Sequence, residues 1–131
     1  MKLDKSVFAV LLFGLFLNPA SAADFDGSVP LICATVEARD CVLGDECFSG
    51  NPADLGAPHF IRVNFKKKLM IGEQITSPIL TMAQQGSQLI MQGTELDFGW
   101  SFALQQSSGR FSVSLTNSEG AFLLYGSCTP E

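Results

Sequence analysis

At 131 residues, with 13 Asp+Glu against 8 Lys+Arg and a net charge of −5, the chain has room for one domain with an acidic surface. That balance is a poor match for nucleic acid, where Lys and Arg neutralise phosphates, and it gives no electrostatic pull toward anionic lipid. A chain of this size buries roughly 65% of its unfolded surface, enough for a modest core.

The N-terminus reads as an export signal. Lys2 and Lys5 precede an unbroken apolar run, Val7 to Leu17. Asn18-Pro19 then breaks it, and Ala20-Ser21-Ala22 is the small-x-small pattern that signal peptidase cuts after. The run is about half of the roughly 20 residues that cross a bilayer, so residues 1–22 are a signal peptide and no membrane span is expected after cleavage. Cleavage takes the net charge from −5 to −6, because Lys2 and Lys5 leave together with Asp4. No cysteine follows the cut, so no lipid anchor is indicated there. Residues 23–131 form one periplasmic or secreted domain.

That address decides how the cysteines read. Cys33, Cys41, Cys47 and Cys128 lie in the mature part, and an even count in an oxidising compartment reads as two disulfides. Of three possible pairings the favoured one joins Cys41 to Cys47 within a Gly/Asp-rich loop and Cys33 to Cys128, first strand to last. Zinc needs closely spaced ligand pairs such as Cys-x2-Cys, and the sequence has none.

In chain order, Ala23 to Ser28 reads as a frayed terminus and Leu31 to Ala38 as the first strand. Arg39 to Pro58 is broken by Gly44, Gly50, Asn51-Pro52 and Gly56-Ala57-Pro58, so it reads as a long loop held down by Cys41–Cys47. Ile61, Val63 and Phe65 alternate with polar residues, the period of a half-buried strand. Lys66-Lys67 turn the chain, and the Lys66-Lys67-Lys68 run is a solvated turn. Leu69 to Ile71, Ile79 to Met82 and Leu89 to Met91 are short strands. Trp100, Phe102 and Leu104, then Phe111, Val113 and Leu115, alternate across a turn at Ser107-Ser108-Gly109, and Ala121 to Cys128 closes the series. Turn signals recur roughly every ten residues, the spacing of an all-β sandwich or barrel. The expected fold is all-β: an antiparallel meander of about 7–8 strands closing as a small up-and-down barrel, disulfide-stapled, with a sandwich as the alternative.

No catalytic set emerges. His59 is the one histidine, and no Gly-x-Ser-x-Gly or comparable context supplies it with a nucleophile. Asp40, Asp45 and Glu46 bracket the loop cysteines without the alternating spacing of a calcium loop. Glu95 and Asp97 sit before Trp100 in a Gly-flanked turn, where acidic residues are expected anyway. Trp100 and Tyr125 are the candidates to line a ligand cavity, although so many Phe side chains favour a filled interior. The reading is therefore non-enzymatic, with no cofactor and no metal, and the candidate binding residues lie on the long loop: Asp40, Asp45, Glu46, Phe48 and Asn51.

The segments Leu31-Ile32-Cys33-Ala34, His59 to Gly72, Gly99 to Thr116 and Gly126-Ser127-Cys128-Thr129-Pro130 resemble a group of small exported proteins of unknown function in Gram-negative bacteria. The resemblance implies a periplasmic location and transfers no active site. A second similarity is to periplasmic inhibitors of C-type lysozyme, small disulfide-tied β-barrels that present a Ser-Gly-x-x-Tyr loop. Ser108-Gly109-Arg110-Phe111 begins that pattern, and Ser112 stands where the Tyr belongs. The expected function is a binding or envelope accessory module whose partner is an unknown protein or small ligand. Inhibition of a cell-wall hydrolase and carriage of a small apolar ligand are the alternatives.

Overall fold

The structure, a computed structural model, describes residues 25–131; the expected signal segment 1–22 lies outside them. Ten antiparallel strands form a single curled sheet, a half-barrel. At its centre β1 (Leu31–Val42) pairs along its full length with the last strand, β10 (Gly120–Pro130), from Leu31 opposite Pro130 to Val42 opposite Gly120. One wing continues from β1 through β3 (Phe60–Asn64), β4 (Leu69–Ile71) and β5 (Thr76–Pro78). The other continues from β10 through β9 (Arg110–Thr116), β8 (Phe98–Gln105), β7 (Gln88–Glu95) and β6 (Thr81–Gln85). A short strand, β2 (Phe48–Gly50), pairs with the far end of β1.

First and last strands thus close the meander as the sequence predicts, and both expected disulfides form. Cys33 and Cys128 sit directly opposite each other on β1 and β10, with Cα atoms 3.9 Å apart. Cys41–Cys47 returns the chain from β1 to β2.

The sheet path ends instead at β5 and β6, where Ile79 and Leu80 cross from one wing to the other. The Ile79 amide donates to Lys68 O at 2.8 Å and the Leu80 amide to Gln92 O at 2.8 Å, which stitches the crossing to both wings. The strand expected over Ile79 to Met82 is therefore split. Ile79 is a buried corner, and β6 starts at Thr81.

Two further expectations change. The stretch Arg39–Pro58 is not one irregular loop: β1 runs on to Val42, β2 follows the disulfide, and a 3-10 turn spans Pro52–Leu55. The Gly and Pro residues mark the joints between these pieces, and the Cys41–Cys47 staple brings β2 back into register on β1. Of the stretch expected to fray, the described residues Phe25 to Ser28 are packed. The Phe25 ring covers Gly109, Gln106 Nε2 donates to Phe25 O at 3.3 Å, and Gly27 lies against Phe65 and Leu89. Beside it, hydrogen bonds from the Ser28 side chain and amide hold the Asp26 carboxyl below the ordinary range.

Inward positions follow the period-2 alternation strand by strand. On β8 they are Phe98, Trp100, Phe102 and Leu104, on β9 Phe111, Val113 and Leu115, and on β10 Phe122, Leu124, Gly126 and Cys128. A bulge at Val36 shifts the phase of β1, so Cys33 and Thr35 point inward before it and Ala38 and Asp40 after it. The curl is tightest there: a Cβ on Gly126 would overlap the Ala34 carbonyl oxygen, so the two strands approach only because residue 126 has no side chain. The end nearest the N-terminal segment is solid. Leu31, Cys33, Val63, Met91 and Leu104 are fully buried there, and Phe102 stacks on Phe111 with ring centroids 4.8 Å apart.

The staples differ in the length of chain they close, 95 residues against 6. Replacing Cys33 and Cys128 together by Ala lowers unfolding free energy by about 4–5 kcal/mol, and replacing Cys41 and Cys47 lowers it by about 2 kcal/mol, on chain-entropy grounds. Urea unfolding of the two double variants checks the ranking.

An apolar cavity at the open end as the candidate functional site

The opposite end of the half-barrel is hollow. The cause is local: β4 and β5 are 3 residues each, too short to carry large inward side chains to the rim on that wing. The wall there is made instead by Gly56-Ala57-Pro58 and Gly72. Thr35 holds that wall in place. Its amide donates to His59 O at 2.9 Å, and its hydroxyl donates to the carbonyl oxygens of Pro58 and His59. Small residues on one side and Phe98, Leu115 and Phe122 on the other leave a cavity of about 290 Å³. That is near the lower end of ligand pockets, which run roughly 300–1,000 Å³. Phe102 and Val113 form its floor.

The single tryptophan sits in the wall and is pinned by a relay. Trp100 Nε1 donates to Ser77 Oγ at 2.9 Å, and Ser77 Oγ donates to Thr94 O at 3.1 Å. Both side chains are buried, so the relay satisfies two polar groups that would otherwise be costly to hide. It also ties β5 to β7 across the end of the sheet. The indole lies flat over Gly93, where a Cβ would collide with it.

The rim is apolar as well. Leu96, 79% exposed, and Ile75, 46% exposed, stand at the mouth. Leu96 and Asp97 form the two-residue turn between β7 and β8, since Glu95 pairs with Phe98. Leu96 adopts φ 52°, a left-handed conformation that favours glycine and is uncommon for a bulky side chain. Holding a leucine there keeps an apolar side chain over the cavity at some conformational cost.

The residues expected to form a binding loop fall on separate elements: β1, the disulfide turn, β2 and the start of the 3-10 turn. Asp40 lies opposite both Phe122 and Phe48 in the sheet register, so all three share the concave face near the mouth. Asp45 and Glu46 are exposed in the disulfide turn. Asn51 instead caps the 3-10 turn, its Oδ1 accepting from Ala53 N at 3.4 Å. Glu95 follows Leu89, Met91 and Gly93 on the inward face of β7 and lines the cavity, whereas Asp97 sits in the turn; the two do not share a strand. Tyr125 points to the outer face, opposite Ser112 and Glu37, and does not join Trp100 in the cavity. The bulge at Val36 and the inward register of Gly126 set that orientation. His59 is held through its backbone, its amide donating to Glu73 Oε1 at 3.1 Å. Ser108-Gly109 lies at the solid end, with Gly109 buried beneath Phe25.

Sequence reasoning missed the rim. Phe98 was within its reach, two residues before Trp100 on the same alternation. Ile75 and Leu96 were not, because apolar residues in turns carry no periodicity. Compared with known proteins, the chain matches no family model, no curated protein and no solved structure.

Substituting Ser77→Ala leaves the buried Trp100 Nε1–H without its acceptor. The expected result is a loss of about 1–3 kcal/mol in unfolding free energy with a shifted tryptophan emission maximum, both read in one fluorescence-monitored unfolding experiment.

Proposed function

We propose that the protein is a non-enzymatic binding module, exported to the periplasm or secreted, that takes an apolar group into the cavity at its open end. One observation carries the reading: an apolar cavity of about 290 Å³ opens beside exposed Leu96 and Ile75 in an otherwise well-packed domain. A protein that needed the cavity only for stability would fill it, because empty apolar volume costs about 24 cal/mol per Å³ in partly relaxed cores. The leader-like residues 1–22 and the two disulfides support export. The resemblance to small exported proteins of Gram-negative bacteria points the same way. This reading moves the expected recognition surface from the disulfide loop to the rim, where Asp40 and Phe48 are what remains of it.

Trp100 reports directly on the site. Titrating the mature protein with a neutral chain such as n-decanol, below its solubility limit, is expected to give a saturable change in Trp100 fluorescence. Leu115→Phe puts a ring into the empty space, so it escapes the roughly 1–3 kcal/mol penalty of overpacking a full core. This variant keeps its stability and weakens the saturable change at least tenfold, about 1.4 kcal/mol. A wild-type protein whose tryptophan does not respond to the chain would sink the proposal.

Leu96→Gly separates fold from function at the rim. Glycine relieves the left-handed backbone, so stability is unchanged or rises by up to about 1 kcal/mol. Affinity for the same chain falls, because the apolar cover is gone. Paired unfolding and binding measurements on this variant check both signs.

A further inference from the structure

The charges of the domain are unevenly divided between its ends, with Asp26 and Glu131 the carboxylates at the solid end, and this imbalance bears on what the cavity holds. Around the mouth lie Asp45 and Glu46 in the disulfide turn, Asp54 on the 3-10 turn, Glu73 between β4 and β5, Asp97 between β7 and β8, and Glu119 between β9 and β10. The basic residues collect elsewhere. Lys66, Lys67 and Lys68 form the β3–β4 turn at the solid end, Arg110 opens β9 there, and Arg62 is paired with Glu131 at 3.1 Å. Arg39 is nearer the mouth, but it alternates out of phase with inward Ala38 and Asp40 and is bonded to Glu37 at 3.0 Å. Acidic turns alone would be unremarkable.

The inward-facing rim is the informative part. Following the concave face, the register sets Phe48 on β2, Asp40 on β1, Phe122 on β10, Leu115 on β9 and Trp100 on β8 in one row, with Phe98 on β8 opposite Glu95 on β7 one inward position further toward the mouth. Two carboxylates thus stand among three phenyl rings, on a face that is otherwise apolar apart from the hydrogen-bonded Thr35 and Ser77. Phe98 and Phe122 meet edge to face, centroids 6.4 Å apart at 69°. Among the described residues no ion pair engages Glu95 or Asp40. Carboxylates at inward positions over an apolar cavity repel an anion, and aromatic faces attract a cation through their quadrupole.

We propose that the occupant of the cavity is a single-chain amphiphile with a cationic head, its apolar chain against Phe102 and Trp100 and its head at the level of Glu95, Asp40 and the rim phenyl rings. This rests on the reading of the cavity as an apolar-ligand site and names the chemical class of that ligand. The cavity of about 290 Å³ has room for about ten groups the size of a water molecule, at roughly 30 Å³ each, which is about the bulk of a ten-carbon chain. That length brings the head to the rim, where the acidic turns raise the local concentration of cations within a Debye length of about 10 Å at 0.1 M salt. A fatty carboxylate of the same length would place its charge against Glu95.

Three probes of equal chain length test the claim through Trp100 fluorescence, each below its micelle concentration: decyltrimethylammonium, n-decanol and decanoate. The expected order of affinity is cation, then alcohol, then anion, with the cation at least about tenfold tighter than the alcohol at low salt and the gap narrowing as salt rises. Asp40→Asn with Glu95→Gln removes most of that gap and most of its salt dependence. Lys67→Gln at the solid end changes neither. If decanoate binds as tightly as the cation while n-decanol also binds, the head-group assignment fails and the apolar-site reading stands. If none of the three perturbs Trp100, both fall.

Discussion

The pairing of the first strand with the last is the constraint on which everything else depends. β1 and β10 are joined along their full length and bonded covalently through Cys33–Cys128 near one end. Such a contact spans nearly the whole described chain, so it carries a large loop-closure cost that a small domain must offset. The disulfide offsets it by restricting the unfolded chain. Once that pair exists, the remaining strands add to either side of it as short hairpins, and the sheet curls because Gly126 allows β10 to press against Ala34.

The cavity follows from where this closure sits. With β1 and β10 at the centre, the gap in the half-barrel falls at β5 and β6, the first only 3 residues long and the second exposed throughout. At the solid end the gap is filled by the N-terminal segment, with Phe25 over Gly109 and Gly27 between Phe65 and Leu89. At the other end the Trp100–Ser77–Thr94 relay links β5 to β7 without filling the space. One end is therefore rigidly packed and the other is held open by hydrogen bonds, a division that suits a site on a stable scaffold.

Charge and shape then coincide at one place. The acidic residues gather in the turns at the open end, beside exposed Ile75 and Leu96, while the lysines occupy a turn at the closed one. Glu95 and Asp40 differ from these turn residues in position, because the strand register carries them onto the concave face. Leu96 is the matching exception among apolar residues, exposed and left-handed at the mouth. Local rules are broken here in both directions, which is the pattern expected of a functional surface and not of a folding core.

How much of this was legible in the sequence depended on the range of the interaction. Period-2 alternation marked the inward faces of Ile61–Phe65, Trp100–Leu104 and Phe111–Leu115, because a strand's side chains alternate whatever its neighbours are. Cysteine count and an export-type leader led to both disulfide pairings, since only those pairings join a short loop and the two terminal strands. The extension of β1, the bulge that turns Tyr125 outward and the packing of Phe25 were not legible. Each is set by contact with a strand distant in sequence. The hollow end was decided by tertiary structure alone: a cavity is the volume that side chains from several strands fail to fill, and no single stretch of residues encodes it.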